Sequence, residues 1–355
     1  MKKMKILIMV GVAAIICLKC SKSIETSPTG VSSNNSSMLN LSLKQSVDVS
    51  VAKVNYALNK ISETQGFKIL NSQSANTSMV AASFKDSITL GLIAGIYEFQ
   101  TDSLQPRHMN SITRLFKKTS TSNDMIVKMP QKFIFYPGYL RNVVKKDSTL
   151  GNNFIIDASD YHYYYTNYST FDYKLTAGFL LDSANIGSLN IAETGSNYNV
   201  KYSFNNGYYF NVVGTSGDTT QSVISLTSDT GTLIQETVTY ASSGFGRLKE
   251  SQYTLTIGNV EIKRTAGIDS IQVYMNGILQ NKAGVKIFDS STNGNGSISR
   301  SRDIQITFND GTSTTLSALL KPSYTIFNGL VSSLQSMNLA TNVVDYIAVS
   351  IYENK

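Results

Sequence analysis

Few residues of this 355-residue chain are of the right type and spacing to do chemistry, and they fall into four groups. Two cysteines, Cys17 and Cys20, sit three positions apart near the N-terminus, and the remaining 335 residues contain no thiol. A disulfide framework or a thiolate metal site would need cysteines in the folded part, so neither is expected. A cysteine placed just after a short apolar run is instead what acylation requires: its thiolate takes a diacylglyceryl group and becomes the new N-terminus on cleavage.

Tyrosine forms the second group. The stretch Asp160–Tyr173 (DYHYYYTNYSTFDY) holds six tyrosines, each offering an apolar face and a polar tip. Exposed, Tyr161, Tyr163, Tyr164, Tyr165 and Tyr168 would form a ligand-contacting patch suited to a glycan. The competing expectation is a β-hairpin, with Tyr161, Tyr163 and Tyr165 on one face and His162 and Tyr164 on the other.

The third group is a recurring triplet, Asp-Ser or Asp-Thr followed by Ala, an aliphatic residue or Thr, found six times. It makes Ser87, Ser103, Ser148, Ser183, Thr219 and Ser270 candidate O-glycosylation acceptors, the triplet resembling the acceptor motif of exported Bacteroidota proteins. Asp-Ser is also good turn chemistry in front of a strand.

The fourth group is the two histidines, His108 and His162, too far apart in sequence to suggest a metal pair. No GxSxG elbow, HExxH helix or GxxxxGK phosphate loop occurs. No catalytic residue, metal site or cofactor is therefore expected, and the chain reads as a non-enzyme. A glycosidase would need two converging carboxylates, which spacing alone cannot pair; the absence of Trp also weakens an aromatic sugar platform.

The elements that would position these groups begin with an export signal. Met1–Lys5 carry three lysines, and Ile6–Leu18 is apolar apart from Gly11. As a helix these thirteen residues rise about 20 Å, short of a bilayer core of roughly 30 Å. The pattern is that of a signal peptide over 1–19 with lipidation at Cys20, Cys17 being the alternative. Lys19 stands where a small residue is usual, while Cys20-Ser-Lys-Ser resembles the CSK starts of Bacteroidota lipoproteins. Residues 20–41 read as a flexible tether with a reach of roughly 25 Å. Removing Lys2, Lys3, Lys5 and Lys19 leaves 27 basic against 24 acidic residues, and the remainder are scattered. No basic stripe suggests nucleic acid.

Beyond the tether, Val47, Val51, Val54, Leu58 and Ile61 form one apolar stripe of a helix over about 43–65. Ser42 and Gln45 have capping-box spacing, and Gly66 is a natural stop. Fewer than three heptads favours packing on its own domain over a coiled-coil seam. The segment 67–355 is read as one β-rich body. Ile88–Phe99 is expected to be a strand or strand pair, with further strands at Leu115-Phe116 and Met125–Met129. From Phe154–Ala158 and Tyr161–Tyr165 to Ile304–Phe308, period-two segments alternate with turns such as Asn206-Gly207 and Asn276-Gly277. No convincing helix separates these strands, so a parallel sheet is excluded over 150–310. The expected fold is mainly β, an antiparallel meander forming a sandwich or half-barrel, with an N-terminal helix and a short C-terminal helix over about 322–337. Val343–Tyr352 (VVDYIAVSIY) is expected to be a last buried strand.

The stretches FKDSITLGLIAGIYEF, LFKKTSTSNDMIVKMP, YTLTIGNVEIKR, DSIQVYMNGILQ, RDIQITFNDGT and VVDYIAVSIY resemble a family of Bacteroidota lipoproteins of unknown function. The resemblance covers about 84–355 and implies an address, the cell envelope and its outer membrane, without an activity. Expected partners are the membrane, through the lipid, and an envelope protein or a glycan. Two further readings compete with a binding or assembly module. One is a carrier of lipid or another apolar ligand in a half-barrel; the other is a glycan-binding or glycan-cleaving protein.

Overall fold

The computed structural model describes residues 42–72, 74–75, 87–100, 116–131, 134–135, 151–165, 171–242, 248–265, 271–294, 297–323 and 341–353. Over these the chain is mainly β, and its large, mostly antiparallel sheet is not closed into a barrel. Two compact units divide the chain. The first takes residues up to Leu58, Asp218–Leu226 and Thr230–Thr325; the second takes Asn59–Gly217, Thr227–Asp229 and Ile326–Lys355.

In chain order the elements open with α1 (Leu43–Glu63), α2 (Gln65–Ser72), β1 (Ser74–Ala75), β2 (Ile88–Thr89), α3 (Leu90–Ile93), β3 (Gly95–Phe99), β4 (Phe116–Ser120), β5 (Met125–Met129) and β6 (Ile134–Phe135). The meander follows as β7 (Phe154–Tyr165), β8 (Phe171–Leu181), β9 (Ala184–Thr194), β10 (Asn197–Ser203), β11 (Tyr208–Thr215), β12 (Thr219–Ser228), β13 (Gly231–Ser242), β14 (Leu248–Ile257), β15 (Val260–Thr265), β16 (Gln272–Met275) and β17 (Ile278–Leu279). A separate three-stranded sheet, β18 (Gly284–Gly294), β19 (Ser297–Thr307) and β20 (Ser313–Thr315), precedes α4 (Leu316–Leu320) and a 3-10 turn at Lys321–Ser323. The last helix, α5, covers 341–353.

The start of α1 is fixed locally. The Ser42 N–H donates to Gln45 Oε1 at 3.0 Å and the Gln45 N–H donates back to Ser42 Oγ at 3.3 Å, the reciprocal pair of a capping box. Val47, Val51, Val54, Leu58 and Ile61 are all 3% exposed or less, so the expected stripe is the buried face. Gly66 does not end the helix. Thr64 interrupts it after Glu63 and caps α2, its Oγ1 accepting from the Phe67 N–H at 3.3 Å. Gly66 lies inside α2, where a Cβ would sit 2.3 Å from the Ile186 carbonyl oxygen. Its missing side chain lets α2 touch the backbone of β9.

In the second unit, β7 to β11 pair consecutively as antiparallel hairpins. β5 pairs antiparallel with β7, β3 runs parallel to β5, and β4 returns antiparallel to β3. The two expected strands around Asp160 are one long strand, β7, with a register shift between Ala158 and Asp160. Strict alternation sends Phe171, Tyr173, Leu175, Ala177 and Phe179 of β8 inward, each 5% exposed or less. In the first unit, β13 to β17 continue the antiparallel order, with Tyr253, Leu255, Ile257, Val260 and Ile262 on the buried face. Asn276 and Gly277 adopt φ of 51° and 77°, the mirror-image turn expected of Asn-Gly. Asp182 and Ser183, with φ of 49° and 68°, make the same turn between β8 and β9 without a glycine.

A second expectation is overturned. Val343–Tyr352 is not a strand: residues 341–353 form α5. Val343, Val344, Ile347 and Ala348, all 2% exposed or less, recur at helical spacing and make one buried stripe. In a short run this apolar and β-branched, periodicity does not separate a buried helix from a buried strand. The expected helix over 322–337 lies mostly outside the described residues; Pro322 falls within the 3-10 turn.

Candidate functional site

The tyrosine-rich hairpin positions a closed cluster on the inward face of the second unit. Strand alternation on β7 puts Tyr161 and Tyr163 inward, each 2% exposed, and leaves His162 and Tyr164 half-buried on the other face. Tyr163 is directly opposite Tyr173 of β8. The Tyr161 and Tyr163 rings meet Tyr173 edge to face, both with centroids 6.0 Å apart. Phe171 stacks on Tyr173 at 6.2 Å. Such pairs add roughly 0.5–1.5 kcal/mol each beyond burial.

A carboxylate completes the cluster from α5. Asp345 Oδ1 accepts hydrogen bonds from Tyr161 Oη at 2.9 Å and from Tyr173 Oη at 3.1 Å. Its Oδ2 is buried with no hydrogen-bond partner among the described residues. Burial disfavours the charge and pushes the Asp345 carboxyl up to about 7, against the opposing pull of the two phenol hydrogen bonds. Tyr161 and Tyr173 are held well above the ordinary phenol range, first by burial and then by Asp345. Glu193 of β9 stands opposite Tyr173 in register, and burial raises it to about 7 as well.

Chemically this is a carboxyl and two phenols sharing one oxygen, with a second acid beside them. The rings are 2–5% exposed and Asp345 5%, so no face is open to a ligand. The arrangement holds α5 against β7 and β8 through polar contacts inside an aromatic core. A glycan patch built on Tyr161 and Tyr163 has no exposed ring to offer. The Tyr165 side chain and Tyr168 lie outside the described residues.

The outer face of the hairpin carries ordinary cross-strand charge pairs. His162 Nε2 lies 3.5 Å from Asp172 Oδ2, and Lys174 Nζ lies 2.5 Å from Asp160 Oδ2. His108 lies outside the described residues, among which no group of three or more His, Cys, Asp or Glu is placed to hold a metal ion.

Of the six Asp-Ser/Thr positions, Ser183 is exposed in the β8–β9 turn, Thr219 is exposed at the start of β12, and Ser87 is half-buried before β2. Ser103, Ser148 and Ser270 lie outside the described residues, as do Cys17 and Cys20. No helix among the described residues is long and apolar enough to cross a membrane.

Asp345 and Glu193 had no place among the candidate residues. A signal for Asp345 was present: a lone acid within VVDYIAVSIY must be paired if that run is buried. Its partners on β7 and β8 are not local in sequence. Comparison of the chain with protein-family models, with curated proteins and with solved structures returns no match.

Proposed function

We propose that this is an exported lipoprotein of the bacterial envelope, anchored to the outer membrane through Cys20, whose β-rich body is a non-enzymatic binding or assembly module. The observation that carries the reading is the order of features at the N-terminus. Three lysines, a thirteen-residue apolar run, Cys20 and a Ser/Asn-rich stretch come in succession, ahead of the capping box at Ser42. Lipid on one cysteine supplies the two or more acyl chains that stable anchoring needs. The resemblance to Bacteroidota lipoproteins supports the same address.

The body is read as a module because the acid and phenols of its tyrosine cluster are closed into the core. Tyr161 and Tyr173 both donate to Asp345 in place of facing a cleft. The test is metabolic labelling of the full chain with radioactive palmitate in a bacterial host, followed by membrane fractionation. Label and membrane association are expected for the wild type and for Cys17→Ala, and both are expected to vanish for Cys20→Ala. Equal labelling of Cys20→Ala would move the anchor to Cys17, and an unlabelled, freely soluble wild type would sink the reading.

A further inference from the structure

The outward face of β14–β16 in the first unit gathers polar and aromatic side chains around a recess. Thr256, Glu261 and Tyr274 stand side by side across three strands, since Thr256 pairs with Glu261 and Glu261 with Tyr274. Lys263 follows two residues along β15 on the same face. The inward neighbours Leu255, Ile257, Ile262 and Val273 are 4% exposed or less, which fixes the direction of the others. Together with Asn259 these outward residues line a shallow recess of about 400 Å³.

Two features mark the recess as more than a solvated strand surface. Tyr274 is half-buried and its hydroxyl donates to Gln272 Oε1 at 2.9 Å, so the ring is held in one orientation. Leu279, opposite Tyr274 on the edge strand and 41% exposed, extends an apolar rim beside it. Some opposite charges on the described strands close on each other, as in Arg264–Glu250, Lys128–Glu98 and Lys174–Asp160. Glu261 and Lys263, on one face and two residues apart, have no ion-pair or hydrogen-bond partner among the described residues. An acceptor and a donor on β15 are thus left available beside an oriented aromatic ring.

We propose that this recess binds a neutral carbohydrate, with the C–H face of a sugar ring on Tyr274 and its hydroxyls shared between Glu261 and Lys263. Hydroxyls both donate and accept, so one neutral ligand satisfies both groups, and the aromatic ring covers the apolar face of the sugar. The volume suits a mono- or disaccharide on an open face. A zwitterion would also match the two charges, but it has no apolar face for Tyr274 and Leu279. The inference rests on the binding-module reading and names a ligand class for it.

The test is ligand-observed saturation-transfer NMR on the detergent-solubilised full-length protein. The probes are maltose, cellobiose and N,N′-diacetylchitobiose at millimolar concentration, with glycylglycine as the zwitterionic competitor. Transfer to the ring C–H protons of at least one sugar is expected. Tyr274→Ala should reduce it at least fivefold, and Glu261→Gln and Lys263→Met should each weaken it with the thermal midpoint unchanged. The exposed-surface variant Val213→Ala in the other unit should keep it.

No transfer to any of the three sugars overturns the proposal, as does transfer that survives Tyr274→Ala, Glu261→Gln and Lys263→Met alike. Transfer to glycylglycine alone also overturns it. Palmitate labelling of the same samples separates the outcomes: a blank sugar experiment on correctly acylated protein removes this ligand and leaves the anchoring reading standing.

Discussion

Tyr161 Oη donates to Asp345 Oδ1 at 2.9 Å, joining positions 184 apart in the chain. Tyr173 donates to the same oxygen, so one carboxyl of α5 is shared by the two strands of a hairpin. The pairing turns a run of tyrosines that invites a surface reading into an interior attachment point.

Removing the carboxyl should therefore cost more than removing one phenol. Asp345→Ala leaves two buried hydroxyls without their acceptor and opens a small void, an expected loss of about 2–5 kcal/mol. Tyr161→Phe removes one donor and keeps the ring, an expected loss of about 1–2 kcal/mol. Urea unfolding of both variants measures the difference. Equal losses, or none, would mean that the hydrogen bonds do not hold α5.

Stability should fall as pH rises toward neutrality. Asp345, ordinarily near 3.8, is raised to about 7 in the folded chain. The folded state then binds the proton more tightly than the unfolded one, so the contribution is fully present below about pH 3.8 and disappears as pH passes 7. Glu193, raised from 4.5 to about 7, acts in the same direction. For Asp345 the change is at most about 4 kcal/mol. Between pH 5 and pH 8 the urea midpoint of the wild type should drop, and Asp345→Asn, which cannot ionise, should flatten that slope. A slope unchanged in Asp345→Asn would locate the titration elsewhere.

Gly66 gives a steric test that does not involve charge. An added methyl would meet the Ile186 carbonyl oxygen at 2.3 Å and Tyr202 Oη at 3.1 Å. Backbone cannot yield as a side chain can, so Gly66→Ala should cost about 2–4 kcal/mol despite the better helix propensity of alanine. Gly91, helical with nothing within 4 Å of its would-be Cβ, is the control: Gly91→Ala should be neutral or slightly stabilising. Thermal unfolding of the pair decides, and equal midpoints would contradict the close contact.

The parts of the fold that were legible in the sequence are those set by local pattern. The Ser42–Gln45 cap, the Val47–Ile61 stripe, the period-two strands of the meander and the Asn276-Gly277 turn all follow from neighbouring residues. What was illegible depended on partners distant in the chain. Gly66 reads as a helix stop until β9 is seen beside it. Val343–Tyr352 has the composition of a strand, and only its packing as α5 selects the helix. The inward turn of Tyr161 and Tyr163 was one of two expectations, and the acid that fixes it came from the segment misread as a strand. The recess at Tyr274 needs the β14–β16 register to bring Thr256, Glu261 and Tyr274 together, which strand positions alone do not give.

The anchor is tested most directly by intact mass spectrometry of the mature N-terminus. The protein purified from bacterial membranes should begin at Cys20 and carry a diacylglyceryl group together with any further N-acyl chain. A mature chain that begins elsewhere, or that begins at Cys20 without lipid, would contradict the account.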